Sequence, residues 1–380
     1  MNTGIPDIAT TAPGTPGGRF MRRFWIAVHR VEDLPVGQAK AIRILGEDFT
    51  LYRGESGRAQ VVDYRCPHRG AQMYHGWVEG DDLRCIYHGW KFAPSGQCVE
   101  QPAEGVGFAQ KVKMGSYPTR EWMGLVYAYF GEGAEPEFPP YPAPQGEGIV
   151  DVWTPYFVPC NYLQSYENSA DEVHVAFVHR PGGSHAPLAE SLPEVSAEET
   201  EWGMLRYGRR AGGKVRHSLH YPPSTTRVIV PPLAGMDNVG GWPEIYFHWT
   251  PIDDQSHWWF ITSLVRVTGK DAEAFLAKRD EFRRALAEAR PVNDVVRDVW
   301  EGGVRLVDVD HPELAAVQDI VVQAGQGRLA DRSREHLGRS DVPLVVWRRI
   351  LSRELRAIAD GREPKRWAPP PADVQPTLGF

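Results

Sequence analysis

A chain of 380 residues has room for one large domain or two ordinary ones, and 42% hydrophobic with 24% charged residues is enough to bury a real core. Lys and Arg number 42 against 49 Asp and Glu, a formal charge of −7 that excludes a general nucleic-acid binder for want of surplus cations. No run of about 18 apolar residues occurs, so no membrane-spanning helix is expected, and four cysteines are too few for a disulfide framework, which favours a reducing cytoplasm.

Residues 1–19 have neither a basic n-region nor an apolar h-region, so they read as a flexible leader and not as a secretory signal. From residue 20 to about 145, short alternating runs such as RFWIAVHRVEDLP, AIRILGEDFTLYRGESG and MGLVYAYFGEG are cut by Gly, Pro and Asp. They predict an all-β domain of antiparallel strands. The proline-dense stretch EPEFPPYPAPQGEGI (135–149) marks a boundary. Beyond it, over 146–380, a helix is expected from Asn161 to about His179, and strands over 200–265. Helical spacing returns in DAEAFLAKRDEFRRALAEAR, with Asp271 as its cap, and again at about 314–326 and 342–359. The second domain is therefore α+β, an antiparallel sheet with helices on one side.

The densest chemistry lies in CPHRGAQMYHGWVEGDDLRCIYHGWKF (66–92), with Cys66-x-His68 followed by Cys85-x-x-His88. Two thiolates and two imidazoles in matched pairs suit the tips of two β-hairpins. Zinc is one candidate for such a set. Zinc fingers, however, pair Cys with Cys and His with His, whereas each short motif here carries one of each. If the two cysteines bind one iron and the two histidines another, the site is a [2Fe–2S] cluster of Rieske type. Gly70 and Gly89 would then let backbone N–H groups turn toward the sulfides. His75 has no partner in this pattern and reads as a surface residue, while Cys98 and Cys160 read as buried thiols.

CPHRG followed by CIYHGW resembles the cluster-binding signature of the Rieske non-haem iron oxygenases. In CNYLQSYENSADEVHVAFVHR the residues Asn168, Asp171 and His174 step by three along one helix face. His179 lies roughly 140° further round an ideal helix, so both histidines can meet one ion only through a π-bulge or a helix ending after His174. Two His and a carboxylate on one face of Fe(II) leave positions open for O₂. The spacing Asn168-x₂-Asp171-x₂-His174-x₄-His179 is similar to the mononuclear-iron motif of the same family, which implies that His174 and His179 are iron ligands. The resemblance makes Asp319, in LAAVQDIVVQAGQGR, the third ligand at the opening of a helical segment, with Asp308, Asp310 and Glu313 as rivals. Asn168 and Asp171 are the catalytic candidates beside these ligands. Asp171 is expected to accept the outward N–H of His174 and to reach the partner subunit's His88, because the family assembles as head-to-tail trimers in which one subunit's cluster feeds the next subunit's iron.

The segment 327–351 looks like the phthalate-dioxygenase-like branch, and the resemblance implies a helix-grip-like catalytic domain. It further implies O₂-dependent hydroxylation, dihydroxylation or O/N-dealkylation of an aromatic acid or aryl ether by a homotrimer or dimer of trimers. Electrons would come from a separate NAD(P)H-dependent iron–sulfur reductase or through a ferredoxin, since no GxGxxG fingerprint is present. Arg206, Arg209, Arg210, Arg216 and Arg227 crowd the strands that should wall the pocket, where a guanidinium can clamp a carboxylate, although strand arginines mostly face solvent. Trp202, Tyr246, Phe247, Trp249, Trp258 and Trp259 supply aromatic surface, most of it core. Residues 328–366 carry eleven Lys/Arg against six Asp/Glu, either solvated helix faces or a dock for an acidic reductase. The closing APPPADVQPTLGF reads as extended. The alternative, a Rieske electron carrier with a docking domain, leaves His174, His179 and Asp319 without a purpose. A structural zinc protein fails on the paired Cys-x-His spacing.

Overall fold

Proline sets the joint in this chain. Pro139 and Pro140 have no N–H to give a sheet, and the contacts divide there: one unit is Thr11–Pro140, the other Tyr141–Phe380 with Met1–Thr10. The division falls inside the proline-dense stretch. The structure, a computed structural model, describes residues 8–105, 107–180, 188, 190–232 and 239–379.

The N-terminal unit opens with helix α1 (Pro16–Met21), which has proline in its first turn and is capped by Thr15 Oγ1 accepting from Gly18 N at 3.0 Å. Ala9 and Thr11 are fully buried. The flexible leader expected up to residue 19 is therefore corrected for residues 8–19, which pack; residues 1–7 lie outside the described residues. Eleven strands follow among the described residues: β1 (Trp25–Arg30), β2 (Ala39–Ile44), β3 (Glu47–Arg53), β4 (Ala59–Asp63), β5 (Trp77–Glu79), β6 (Asp82–Arg84), β7 (Lys91–Phe92), β8 (Cys98–Glu100), β9 (Ser116–Tyr117), β10 (Thr119–Trp122) and β11 (Leu125–Tyr129). They form three antiparallel sheets in the orders β1-β11-β10, β2-β3-β4-β9 and β5-β6-β7-β8. β11 is buried along its whole length because it pairs on both sides. The small third sheet carries the second Cys/His motif in the link between β6 and β7. Leu83, Phe92, Met73 and Met114 form a core beneath both cysteines.

The second unit is built on β12 (Ile149–Val152), β13 (Tyr156–Val158), β14 (Glu194–Glu199), β15 (Met204–Arg209), β16 (Val215–Tyr221), β17 (Thr225–Ile229), β18 (Glu244–Asp253), β19 (Ser256–Val265) and β20 (Leu378–Gly379). One antiparallel sheet runs β12-β19-β18-β17-β16-β15-β14, with β13 beside β19 and β20 beside β16. The extended C-terminal tail thus ends as an added strand. Six helices accompany the sheet among the described residues: α2 (Tyr162–Ala170), α3 (Val175–Val178), α4 (Gly269–Glu288), α5 (Val292–Trp300), α6 (Leu314–Ala324) and α7 (Val342–Ala359). α2 packs on α6 and β18, and α7 on β14. This is an α+β fold with a helix-covered sheet. Three expectations change in detail. The cap of α4 is Thr268, and Asp271 sits in its first turn, where a carboxylate favours the helix dipole. α5, after the break at Pro291, was not anticipated. The single helix over 161–179 is two helices, parted at Asp171.

Candidate metal centres and substrate cavity

The two cysteines are seated by the same local turn. Cys66 N donates to Ala71 O at 2.8 Å and Gly70 N to Cys66 O at 2.9 Å; Cys85 N donates to Trp90 O at 2.8 Å and Gly89 N to Cys85 O at 3.0 Å. Each loop reverses on its glycine, at φ 76° for Gly70 and 74° for Gly89, a conformation that costs other residues free energy. The sulfurs lie inside, with Cys66 and Cys85 buried, while His68 is half-buried and His88 exposed. The two imidazoles are 4.5 Å apart by centroid, and Trp90 stacks on His68 at 4.3 Å. Burial, with Cys85 alongside, pushes the Cys66 thiol up to about 12. A buried thiol pair at such a cost fits a group that brings its own positive charge. The donors, two sulfurs inward and two imidazoles outward, segregate as a cluster with unlike irons requires. None of the four cysteines is in a disulfide, and Cys98 and Cys160 are buried thiols. His75 is exposed and lies 3.0 Å from Gln72 Oε1.

The second constellation follows from the break between α2 and α3. Asn161 Oδ1 caps the start of α2 by accepting from Leu163 N at 3.0 Å. The helix ends at Ala170, and Asp171 turns extended at φ −79°, ψ 121°. Its Oδ1 accepts from Val173 N at 2.7 Å and from His174 N at 3.4 Å, so the side chain that stops one helix seeds the next. His174 and His179 then cap the two ends of the one-turn helix α3. This solves the angular problem that a continuous helix poses. Asp319 sits in the middle of α6 instead of at its opening, because that helix starts earlier, just after Pro312.

The ligand atoms of His174, His179 and Asp319 all lie within 4.8 Å of one another. Asp319 Oδ1 is 3.8 Å from His174 Nε2 and 3.5 Å from His179 Nε2. His179 Nδ1 lies 2.8 Å from Gln318 Oε1; with an acceptor there, Nδ1 carries the proton and Nε2 keeps its lone pair. Burial holds His174 below its ordinary value even against the pull of Asp319 and Asp171. Two imidazoles and one carboxylate converge, a donor set that fits Fe(II). Asn168 Nδ2 donates to Asp319 Oδ1 at 3.2 Å and approaches His174 Nε2 at 3.5 Å. The outward nitrogen of His174 is 3.8 Å from Asp171 Oδ2, beyond hydrogen-bond range, and is buried without a hydrogen bond. Of the rival carboxylates, Asp308 pairs with Arg305, Glu313 accepts from Tyr156 Oη at 2.6 Å, and Asp310 lines the cavity.

The trio opens on a cavity of about 330 Å³ whose walls include Val228, Ile245, Phe247, Trp249, Trp259 and Ile261. Arg206 and Arg216 also line it. The expectation that strand arginines face solvent fails for Arg206, Arg210, Arg216 and Arg227, all buried. Three of them surround Glu172, a residue that no motif singles out. Arg227 pairs with Glu244 at 2.5 Å. Glu172 was missed because its partners stand 34 to 44 residues along the chain; the one local signal is the alternation Arg206-x-Gly208-x-Arg210.

A family model described as the Rieske [2Fe-2S] domain matches residues 24–118. The 5,5'-dehydrodivanillate O-demethylase oxygenase subunit of Sphingobium sp. (strain NBRC 103272 / SYK-6) is 31% identical over 94% of this chain and 81% of its own length. The chain belongs to the Rieske non-haem iron oxygenases. This oxygenase is also 31% identical to the phthalate 4,5-dioxygenase oxygenase subunit of Pseudomonas putida, over 91% of this chain and 84% of that protein. Its fold is that of the terminal oxygenase of carbazole 1,9a-dioxygenase from Nocardioides aromaticivorans IC177, with a TM-score of 0.64 at 17% identity over 90% of this chain and 99% of that one. The oxygenase in the reduced oxygenase–ferredoxin complex of carbazole 1,9a-dioxygenase gives 0.64 at 18% identity, over 90% and 93%. The protein is thus an enzyme, a terminal oxygenase component whose cofactors are a [2Fe–2S] Rieske cluster and a mononuclear Fe(II). The electron-carrier and zinc readings are set aside. Among the described residues no helix is long and apolar enough to cross a membrane.

Proposed function

We propose that the oxygenase hydroxylates, dihydroxylates or oxidatively dealkylates an aromatic substrate that carries an anionic group. The observation that carries this reading is the convergence of His174, His179 and Asp319 within 4.8 Å at the wall of a cavity lined in part by Phe247, Trp249 and Trp259. Cys66 and Cys85 would hold one cluster iron and His68 and His88 the other; His174, His179 and Asp319 would hold the third iron. When bound, the cluster supplies single electrons and the ferrous ion activates O₂. The chain's own residues do the rest. Gln318 fixes the tautomer of His179, Asn168 steadies Asp319, and the aromatic walls orient a flat ring and exclude water. Arg206 is engaged by Ser218 at 2.7 Å and by Glu172, and it borders the cavity, where a guanidinium favours a carboxylate or phenolate.

Two similar proteins are named as a dehydrodivanillate O-demethylase and a phthalate dioxygenase, which supports an oxygenated aromatic as substrate. We further propose a separate NAD(P)H-dependent iron–sulfur reductase, directly or through a ferredoxin, a homotrimer or dimer of trimers, and a cytoplasmic location. Metal analysis should find about three irons and two sulfides per chain. His174→Ala should keep the red-brown colour and abolish substrate-dependent oxygen uptake. Uptake should appear with aromatic acids and be weaker with their uncharged amides. One zinc per chain and no sulfide would overturn the reading.

A further inference from the structure

We infer that Glu172 is a positioning residue, the anchor that fixes the link between α2 and α3 and thereby sets Asp171 and His174 in place. The inference rests on the assignment of His174 as an iron ligand. Glu172 is the residue after Asp171 and stands two before His174 in a link with no helix or strand of its own. Such a link would wander if it depended on the capping bonds of Asp171 alone. Its one fully buried side chain is Glu172, with 0% of it exposed.

The sheet has built a receptor for that carboxylate. Arg206 and Arg216 reach Glu172 Oε2, the latter at 2.9 Å, and Arg210 reaches Oε1 at 2.8 Å. The register explains why three cations meet there. Gly208 on β15 lies opposite Arg216 on β16, and Arg206 lies opposite Ser218, so these residues share one face of the sheet. Gly208 leaves the hole that Glu172 fills: a Cβ added at 208 would come within 2.9 Å of Glu172 Cγ. Arg216 is itself fixed, its Nε and Nη2 donating to Ile229 O at 3.1 and 2.9 Å. Arg206 is fixed by Ser218 Oγ. A carboxylate locked by two strand-mounted guanidiniums over a glycine cannot shift without dragging both strands. The iron loop is therefore tied to the rigid sheet, which is how a ligand set is held within the narrow tolerance of a metal site.

The test uses the full-length enzyme and two readouts other than turnover. Ferrous-ion affinity is taken by chelator competition, and the geometry at the mononuclear iron from the half-integer-spin signal of its nitric oxide adduct, recorded with the cluster oxidised. Glu172→Gln is combined with Arg210→Met, which removes a guanidinium that would otherwise be stranded. Gly208→Ala keeps all four charges and only crowds Glu172. Both variants should keep the cluster spectrum, bind ferrous ion about tenfold or more weakly and give a broadened nitric oxide signal. Glu172→Asp, one methylene shorter with the charge retained, should recover part of the affinity. Parent-like affinity and signal in both variants would overturn the inference. His174→Ala is the control for the underlying assignment: if it retains the mononuclear iron, the ligand assignment fails; if it alone loses the iron, only the role of Glu172 fails.

Discussion

Asn168 touches two of the proposed iron ligands at once, with Nδ2 at 3.2 Å from Asp319 Oδ1 and 3.5 Å from His174 Nε2. Its donation to the carboxylate orients the oxygen that faces the histidines. Asn168→Leu should therefore weaken ferrous-ion binding about 10- to 100-fold, measurable as iron per chain after dialysis, while the cluster absorption is unchanged. Asp171 makes a sharper case, because its two oxygens do different work. Oδ1 caps the backbone of Val173 and His174, which an amide oxygen can also do; Oδ2 brings a charge to 3.8 Å from His174 Nδ1, which an amide cannot. Asp171→Asn should keep its fold and most of its iron. Reoxidation of the cluster in a single turnover should slow about tenfold or more, read by stopped-flow absorbance. A parent-like rate would reduce Asp171 to a cap. The candidate residues that the sequence offers by itself are those whose geometry is local: Cys66, His68, Cys85 and His88 are spaced by turns that close within five residues. Asp319 is a candidate through family likeness alone. Gln318 and Glu172 carry no pattern, because their partners come from distant elements.

The α2–α3 break shows what periodicity can and cannot tell. The apolar residues of 161–179 keep helical spacing across the break, so spacing alone predicts one helix; the interruption is local side-chain chemistry at Asp171, which competes for backbone N–H groups. The start of α2 is legible by the same chemistry. Asn161 is completely buried and its side chain makes three bonds: its Oδ1 accepts from Leu163 N, and its Nδ2 donates to Ala9 O at 2.9 Å and Asp254 O at 2.8 Å. Asn161→Ala should cost about 2 kcal/mol or more in urea denaturation. The sheet adds a pH response that no motif reveals. His248 on β18 and His257 on β19 are fully buried, and burial lowers them from the ordinary 6.5 to about 3 and about 4. Between pH 6.5 and 4 the unfolded chain binds these two protons and the folded chain does not. The stability is fully present above pH 6.5 and falls as pH drops toward 4, by about 1.4 kcal/mol per pH unit for each histidine. His257→Leu should flatten the slope of stability against pH by about one proton, whatever other groups titrate.

At the scale of the molecule, the all-β and α+β halves were legible because strand alternation and helix spacing change character across a stretch too rich in proline to continue either. The cationic surplus of residues 328–366 is a warning against reading charge without structure. Arg348 lies 2.5 Å from both Glu167 and Glu335, and Arg353 2.8 Å from Glu199 and 2.6 Å from Glu354. Part of the excess is thus met by Glu167 and Glu199, carboxylates from outside the segment, while Glu335 and Glu354 belong to its own balance. The remaining question is which chain's cluster serves which chain's iron. Two variants answer it, since His68→Ala should disable the cluster and spare the mononuclear iron, and His179→Ala should do the reverse. Each homogeneous assembly should then be inactive. In co-expressed mixtures at equal dose, a head-to-tail ring places an intact cluster against an intact iron at about a quarter of its interfaces. Oxygen uptake should recover toward that fraction of the parent rate, and it should fall when either variant is in large excess. If electrons pass only within a chain, no subunit in the mixture has both centres and no activity returns. Recovery therefore requires transfer across a subunit boundary; silence in well-mixed assemblies would confine the electron to one chain and leave Asp171 serving His174 of its own subunit.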